Sequence, residues 1–473
     1  MSRINTNVAS LTAQRGLARS QKSLDATLQR LSTGLRINRG ADDPAGLIAS
    51  EGLRSEIAGI TQSLDNSQRA SNVIATAEGA LNEVAALLLT VKDLVVEAAN
   101  TGAFSQEEIK ANQLQVDSAI ESITRISNTT TFAGLKLLNG SLEYLTSGVQ
   151  TANIRSLEIS QASFGTASNI PVEVELLTSA RTAELTFTGS SITQSVTIEI
   201  TGPKGVDILT FTSGTTASQV ALAVNRLADS TGILADFTNL ASGVTFRSQE
   251  FGSKNFVSVV ARSGTFNVED SAGATVQRAI GVDATATING AFVRGDGLNL
   301  SLNTASLDLN LTLDTAFGLG TTRFAITGGG ALFQLGPQVN SQQQVNIGIQ
   351  SIAATRLGDT LTGFLSDVRS GGSASLLSGN TASASEIVEK AIRQVSALRG
   401  RLGAFERNTI DTNINSLSVA LENVTASESV IRDADFARET AALTRSQILT
   451  QAGTSVLATA NSTPQQVLSL LQQ

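Results

Sequence analysis

Five prolines divide the chain very unevenly, and their spacing constrains the fold more than any other feature. They lie at Pro44, Pro171, Pro203, Pro337 and Pro464. One long proline-free segment follows Pro44 and another precedes Pro464. Because proline inside a helix removes a hydrogen bond and clashes with the preceding turn, these two segments have room for long, unbroken helices.

Both segments repeat large apolar residues every three or four positions, which puts those residues on one face of a helix. The first segment has Leu53, Ile57, Ile60 and Leu64, then Leu81, Val84, Leu88, Val91 and Val95. The second has Ala391, Val395, Leu398, Leu402 and Phe405, then Ile410, Ile414, Leu417, Leu421 and Val424. Such stripes, sustained over several turns, are typical of helices that pair along a seam.

The two ends of the chain carry weaker apolar patches on a background of Ser, Thr, Gln and Gly. The N-terminal patches comprise Ile4, Val8, Leu11, Leu24, Leu28, Leu31 and Leu35. The C-terminal patches comprise Ile448, Leu449, Ala452, Val456, Leu457, Val467, Leu468 and Leu471. A solitary helix of this composition is marginal in water. We therefore expect both ends to be disordered until they find partners, and these residues to be subunit-assembly contacts.

The middle of the chain changes to a two-residue alternation that predicts half-buried strands. The alternation is clearest over 172–176, 183–188 and 196–200, and Gly202-Pro203-Lys204-Gly205 predicts a turn. Residues 216–229 form the one clear helical pattern in this region. The predicted fold class is α+β: a long α-helical coiled-coil bundle formed by both chain ends, with a β-rich central insert domain.

Missing residue types exclude several kinds of chemistry. The chain has no Cys and no His, so thiolate nucleophiles, Ser-His-Asp triads and His-based metal hydrolysis are excluded. We expect no catalytic, cofactor-binding or metal-binding residues, and no enzyme. The net charge of −8 argues against nucleic acid or an anionic membrane as the main partner. No signal-peptide core or membrane-length apolar run is present.

Three local motifs have ordinary structural explanations. Asp43 and Pro44 match a helix start, with Asp43 as the cap and Pro44 at the first helical position; a metal-binding carboxylate pair, Asp42 and Asp43, is much less favoured. Residues 328–330, Gly-Gly-Gly, predict a turn rather than a phosphate loop. The basic cluster Arg30, Arg36 and Arg39 predicts a subunit contact or a solvated face.

Several longer motifs resemble the conserved ends of bacterial flagellin. At the N-terminal end they are INTN from Ile4, LSTGLRIN from Leu31, DDPAG from Asp42 and EGAL from Glu78. At the C-terminal end they are RSQIL from Arg445, QAGTSVLA from Gln451 and PQQVLSLL from Pro464. The resemblance covers about the first 140 and the last 95 residues. The middle resembles the outer region of that family only loosely.

The resemblance implies a subunit that polymerises through its terminal helices into an extracellular bacterial flagellar filament used for motility. It implies five segments: filament-core helix 1–42, inner-shell helices 43–165, β-rich variable outer domain 166–325, inner-shell strands and helix 326–430, and C-terminal filament-core helix 431–473. It also implies export through the flagellar type III channel without a cleaved signal peptide. The implied partners are further copies of the chain, an export chaperone that binds the C-terminal helix, and the filament cap and hook-junction proteins.

One departure from the family concerns an innate-immune receptor that recognises some flagellins. Those flagellins resemble this chain around residues 88–94 but carry Arg where this chain has Thr90, and Glu where it has Gln115; Leu94 is retained. Losing a charged anchor weakens a contact of this kind by a few kcal/mol, on the order of hot-spot values. We therefore expect weak activation of that receptor.

Two other functions fit the sequence less well. A hook–filament junction protein shares both helical ends, but the LSTGLRIN motif and the continuous C-terminal motifs favour the filament subunit. An adhesin carried on the filament is compatible with the Ser- and Thr-rich strands of the insert, although those strands fit a solvated or glycosylated surface equally well. A metalloprotease insert is disfavoured because the chain lacks His.

Overall fold

The computed structural model describes residues 6–165, 167–237, 243–304 and 306–471, the last range without the side chains of 464, 465 and 467–471. Within these ranges the chain forms two compact units. We call the first the terminal unit; it comprises residues up to Arg69, Gln334–Val339 and the chain from Asn408 onward. The second, the central unit, comprises Ala70–Phe333 and Asn340–Arg407.

The described residues form eight α-helices. They are α1 (Val8–Thr33), α2 (Pro44–Ala99), α3 (Gln106–Thr129), α4 (Ala217–Asn225), α5 (Ala228–Thr231), α6 (Thr381–Phe405), α7 (Asp411–Arg432) and α8 (Phe436–Leu471). A π-helical turn, Glu406–Ile410, connects α6 to α7. Short 3-10 turns occupy Ser341–Gln343, Leu365–Val368 and Leu376–Ser378.

Side-chain caps explain where several helices begin and end. The Asn7 side chain accepts a hydrogen bond from the Ser10 N–H at the start of α1, and that helix ends at Gly34 in the left-handed conformation (φ +71°). Ser105 and Glu108 form a capping box at the start of α3, as Thr216 and Gln219 do at α4.

The strands belong to the central unit, except that the last residue of β18, Gln334, belongs to the terminal unit. They are β1 (Thr131–Phe132), β2 (Leu135–Lys136), β3 (Tyr144–Ser147), β4 (Ile154–Ala162), β5 (Ile170–Thr178), β6 (Glu184–Phe187), β7 (Val196–Thr201), β8 (Val206–Phe211), β9 (Ile233–Phe237), β10 (Val244–Ser248), β11 (Phe256–Ser263), β12 (Arg278–Ile280), β13 (Thr285–Ile288), β14 (Ala291–Arg294), β15 (Asn299–Asn303), β16 (Leu307–Leu313), β17 (Gly320–Gly329), β18 (Ala331–Gln334), β19 (Gln344–Ile347), β20 (Gly358–Asp359) and β21 (Gly363–Phe364).

Four antiparallel sheets enclose the two β-rich cores of the central unit. The five-stranded sheet β14-β13-β5-β17-β3 and the three-stranded sheet β15-β16-β4 share one core, which contains Val174, Ile288 and Leu309. The four-stranded sheet β12-β11-β7-β8 and the three-stranded sheet β6-β10-β9 share the other core with α4, around Phe246. Alternating burial along β5, β7 and β10 shows the period-two pattern of half-buried strands.

The α+β fold class is confirmed: helices occupy both chain ends, and a strand-rich region lies between them. The three alternating segments correspond to β5, β6 and β7, and the turn over 202–205 closes with a 2.9 Å bond from the Gly202 N–H to the Gly205 carbonyl.

Two local expectations need correction. The helix predicted over 216–229 is interrupted: α4 ends at Asn225, whose side chain bonds both the N–H and the carbonyl of Ala235, and α5 begins at Ala228. The glycine triplet is only partly a turn: Gly328 and Gly329 end β17, where the register shifts between Ile326 and Gly328.

Candidate assembly surface

The first and last helices, α1 and α8, form an antiparallel pair within the terminal unit. The Asn7 side chain donates to the Ala460 carbonyl at 2.8 Å, and the hydroxyls of Ser23 and Ser446 lie 3.2 Å apart. These partners run in opposite order along the two helices. The sequence prediction that the N- and C-terminal segments lie side by side is therefore correct for these helices.

The most deeply buried side chains of this pair are polar, whereas leucines beside them, such as Leu24 and Leu457, are half-buried. The buried residues on the two helices include Ser10, Thr27, Glu439 and Ser446. The Arg30 guanidinium lies 3.2 Å from the Glu439 carboxylate, whose side chain is 10% exposed. Such a buried carboxylate needs its charged partner, because an unpaired buried charge is strongly destabilising.

Several large apolar residues of α1 and α8 remain exposed. Val8, Leu11 and Leu28 on α1, and Ile448, Leu449 and Val456 on α8, have roughly half or more of their surface exposed. Ala452 is also exposed, whereas Leu24, Leu31, Leu35 and Leu457 are half-buried. Ile4 lies outside the described residues, as do the side chains of Val467, Leu468 and Leu471. The helix pair thus presents apolar residues to solvent that the chain itself does not cover.

The connections beside this pair are joined to each other. The Arg36 N–H donates to the Arg432 carbonyl at 2.7 Å, and the Ala434 N–H donates to the Gly34 carbonyl at 2.9 Å. The Arg432 guanidinium also pairs with Glu51 at 3.0 Å. The α1–α2 and α7–α8 connections therefore form one hydrogen-bonded joint within the terminal unit.

The basic cluster contacts its own chain. Arg30 pairs with Glu439, and Arg36 donates to the Ile431 carbonyl. Arg39 donates to the Gln29 side chain at 2.7 Å. The sequence predicted a subunit contact or a solvated face for these arginines, and the structure shows that each of them contacts its own chain.

The aspartates at the start of α2 serve the backbone. Helix α2 begins at Pro44, and Asp43 Oδ1 accepts a 2.9 Å bond from the Gly46 N–H. Asp42 accepts bonds from the N–H groups of Arg39 and Asn38, which lower the pKa of its carboxyl. Both carboxylates are therefore engaged with the turn and the helix start.

The residues of the receptor-like region differ in exposure. Thr90 and Gln115 are exposed, on α2 and α3, whereas Leu94 is buried at 7% exposure. The Thr90 hydroxyl donates to the Ala86 carbonyl one turn earlier on the same helix. In the isolated chain only the two polar positions can meet a partner without rearrangement.

Sequence reasoning missed a buried polar clamp on α3. The Gln113 side chain, 1% exposed, donates to the Val368 carbonyl at 3.0 Å and accepts from the Leu376 N–H at 2.7 Å. Asp117, one turn further on, accepts a 2.8 Å bond from the Ser370 N–H. A polar residue at an apolar-stripe position, four residues after Ile109, is the signal that could have revealed this clamp.

None of the helices among the described residues is both long and apolar enough to cross a membrane.

Family models match both ends of the chain, and individual relatives match it over nearly its whole length. A family model described as "Bacterial flagellin N-terminal helical region" matches residues 4–143, and one described as "Bacterial flagellin C-terminal helical region" matches residues 385–471. The chain is 32% identical to a B-type flagellin of Pseudomonas aeruginosa and 30% identical to a flagellin of Salmonella rubislaw. Each alignment covers 99% of this chain and 99% of the relative.

Similarity to solved structures is much weaker. A flagellar hook associated protein-3 from Legionella pneumophila aligns with 80% of this chain and 97% of its own, at 12% identity and a TM-score of 0.31. A score that low supports no argument about shared architecture.

Proposed function

Because the chain belongs to the bacterial flagellin family, we propose that it is the structural subunit of a flagellar filament and polymerises through the uncovered apolar surface of α1 and α8. Flagellin is a structural protein family rather than an enzyme family. The observation that carries the mechanism is the exposure of Val8, Leu28, Ile448 and Val456 on a helix pair that does not itself cover them.

The energetics favour association through this surface. Burying one exposed Val or Leu side chain completely contributes about 1.5–3 kcal/mol to the free energy of association. Many such side chains per copy can offset the cost of immobilising a subunit. The same residues would need protection before export, which supports a chaperone on the C-terminal helix as a partner.

The other partners and the localisation follow from the same proposal. The filament is extracellular, and each subunit in it contacts further copies of this chain. The two ends of the filament contact the cap and the hook-junction proteins. The chain divides functionally into filament-core helices 1–42 and 431–473, inner-shell segments 43–165 and 326–430, and an outer domain 166–325. Full-length similarity to proteins named flagellin supports the filament subunit over the hook–filament junction protein.

A matched pair of substitutions tests the assembly surface. Val456 on α8 and Val206 on β8 have the same exposure, 58%. Val456→Asp should abolish or strongly impair polymerisation of the purified protein, because it places a charge in the apolar contact, while Val206→Asp should leave polymerisation near wild type. Sedimentation of seeded polymers measures this, with circular dichroism as the folding control. Normal filaments from Val456→Asp would refute the proposed contact.

Weak activation of the innate receptor remains part of the proposal. Thr90 and Gln115 occupy the positions where responsive flagellins carry charged residues. A reporter-cell assay with purified monomer tests this, and Thr90→Arg combined with Gln115→Glu should raise the response. A strong response to the wild-type monomer would contradict the expectation.

A further inference from the structure

The central unit contains a large cleft whose charge pairing is incomplete. The cleft has a volume of about 870 Å³ and lies between the start of β6, the end of β10 and strand β12. Its charged lining residues are Arg181, Arg247, Arg278, Glu184 and Asp270. Three guanidinium groups therefore meet two carboxylates among the described lining residues.

Among the described residues, neither carboxylate forms an ion pair with an arginine of the cleft. Asp270 accepts bonds from the N–H groups of Ala272 and Ala274, both at 2.9 Å. Glu184 accepts the Thr182 hydroxyl at 3.2 Å. Arg247 is paired with Asp236 at the sheet. Within the described parts of the chain, neither Arg181 nor Arg278 has an ion pair or a side-chain hydrogen bond.

Arg278 is held in place by a side-chain contact that leaves its guanidinium N–H groups free, and the backbone of Arg181 is fixed by a β-bridge to Val282. The backbone N–H of Arg181 donates to the Val282 carbonyl at 2.9 Å, and the backbone N–H of Val282 donates to the Arg181 carbonyl at 3.0 Å. The Arg278 guanidinium carbon lies 4.1 Å above the centre of the Phe256 ring. A side chain fixed in advance, as that of Arg278 is, loses less entropy on binding, and a guanidinium matches a carboxylate with two parallel hydrogen bonds.

A second cavity of the same unit shows the contrast. It has a volume of about 380 Å³ and is also lined by charged residues. There Arg155 pairs with Asp314, Arg356 pairs with Glu143, and Asp359 pairs with Lys390. Unpaired guanidinium groups are thus a property of the larger cleft rather than of every cavity in this unit.

We propose that the 870 Å³ cleft binds an acidic polysaccharide, with Arg181 and Arg278 pairing to carboxylates of its uronic-acid units. Sugar hydroxyls can donate to Glu184 and Asp270, and they can bond to the side chains of Gln249, Ser271 and Thr315 that share the lining. The half-buried Phe251 ring offers an apolar face to a sugar. The carboxylates of such a ligand would pair with the two unpaired guanidinium groups, and its hydroxyls would bond to the two carboxylates of the cleft.

Nucleic acid fits the same cleft less well. Sequence-independent binding of single strands uses a run of basic and aromatic residues, whereas the described lining of the cleft has three arginines and one aromatic residue, Phe251. Binding of an acidic oligomer should depend on Arg181 and Arg278 and should weaken with salt, because salt screens ion pairs that are exposed to solvent.

The test measures binding of a fluorescent oligogalacturonide to the purified, full-length monomer, so it does not depend on polymerisation. The wild type should bind it, and the methyl-esterified, uncharged oligomer should bind at least about tenfold more weakly. Arg181→Gln should reduce affinity by about tenfold, the effect of losing one charged pair. Arg181→Gln with Arg278→Gln should abolish detectable binding. Arg226→Gln removes the same charge from an exposed position outside the cleft and should have less than about a twofold effect.

Three results would overturn the proposal. They are equal binding of the charged and the esterified oligomer, unchanged affinity in Arg181→Gln, and tighter binding of single-stranded DNA than of the oligogalacturonide. Arg181→Gln keeps the packing of Phe256 intact, so it remains informative if the double variant folds poorly. Failure of these measurements would leave filament assembly through α1 and α8 unaffected.

Discussion

Asp283 is a buried carboxylate that accepts several hydrogen bonds from neighbouring loops of the central unit. It accepts from the Ser253 N–H at 2.8 Å, the Ser253 hydroxyl at 2.6 Å and the Gly297 N–H at 3.1 Å. Burial alone raises the pKa of this carboxyl, but these bonds and the charge of Arg294 lower it from 3.8 to about 2. The ionised form is therefore favoured in the folded chain.

This pKa predicts acid sensitivity. Because the folded pKa lies below the unfolded value, the stabilisation is present above pH 3.8 and is lost as the pH falls towards 2. Asp283→Asn should lower the free energy of unfolding by about 2 kcal/mol at neutral pH, and the deficit should narrow under acid conditions. Urea unfolding at two pH values measures this. The exposed control Asp229→Asn should stay within about 0.5 kcal/mol of wild type, and a pH-independent deficit would contradict the assignment.

Gly329 shows why one position of the glycine triplet requires glycine. Its φ is +90°, and a Cβ there would lie 2.1 Å from the Glu143 carbonyl oxygen. Gly329→Ala should therefore lower the free energy of unfolding by about 1–3 kcal/mol. Gly320, at the start of the same strand, has open space and no positive φ, so Gly320→Ala should be neutral or slightly stabilising. Thermal unfolding of the two variants provides the comparison, and equal midpoints would refute the steric argument.

At the scale of elements, α2 shows how periodicity separates adjacent leucines. Leu88 lies on the predicted stripe and is fully buried in the central unit, whereas the neighbouring Leu89 is 54% exposed. Leu88→Ala should lower the free energy of unfolding by about 2–5 kcal/mol, through lost transfer energy and a cavity. Leu89→Ala should change it by about 0.5 kcal/mol or less. Chemical denaturation distinguishes them, and similar losses from both variants would mean that the stripe was wrongly placed.

The same periodicity leads to different burial in the two units. In the central unit Leu81, Val84 and Val91, with Val395 and Leu402 of α6, are buried. In the terminal unit no residue of α7, all of which is described, is buried, and Val430 is 82% exposed. An apolar stripe shows that a helix face needs a partner, and it does not show whether that partner belongs to the same chain.

At the scale of the whole molecule, the central unit should fold without the terminal helices. Its apolar stripes and both β-rich cores are buried among its own residues. Deleting Ser2–Arg30 or Thr444–Gln473 should therefore leave this unit folded while abolishing filaments.

Tyr144 offers a direct measurement of that prediction. It is the sole tyrosine in a chain without Trp, and burial raises its pKa from 10.0 to about 12, against the opposing effects of the Ala162 N–H and the Arg401 charge. Ultraviolet absorbance should show ionisation well above pH 10 in the truncated chains, as in the intact one. Ionisation near pH 10 in a truncated chain would show that the central unit depends on the ends. Filaments of normal stability from either truncation would refute the assembly mechanism.

The sequence by itself determined much of this protein. The stripes predicted the long helices, the two-residue alternation predicted β5, β6 and β7, and Asp43 with Pro44 marked the residue where α2 begins. The terminal motifs identified the family. These features could be found because they are local, and a period of 3.6 or 2 residues is written directly in neighbouring positions.

Only the tertiary structure decided which residues meet across the chain. It showed that Ser10, Thr27 and Ser446 are buried in the α1–α8 pair while Leu11, Leu28 and Leu449 stay exposed, that Gln113 bonds to a distant loop, and that Arg181 and Arg278 share one cleft. Each of these depends on residues far apart in sequence, and the patterns within a single helix or strand carry no information about its partner. The physical reason is that burial and charge pairing are properties of packed neighbours rather than of the residue alone.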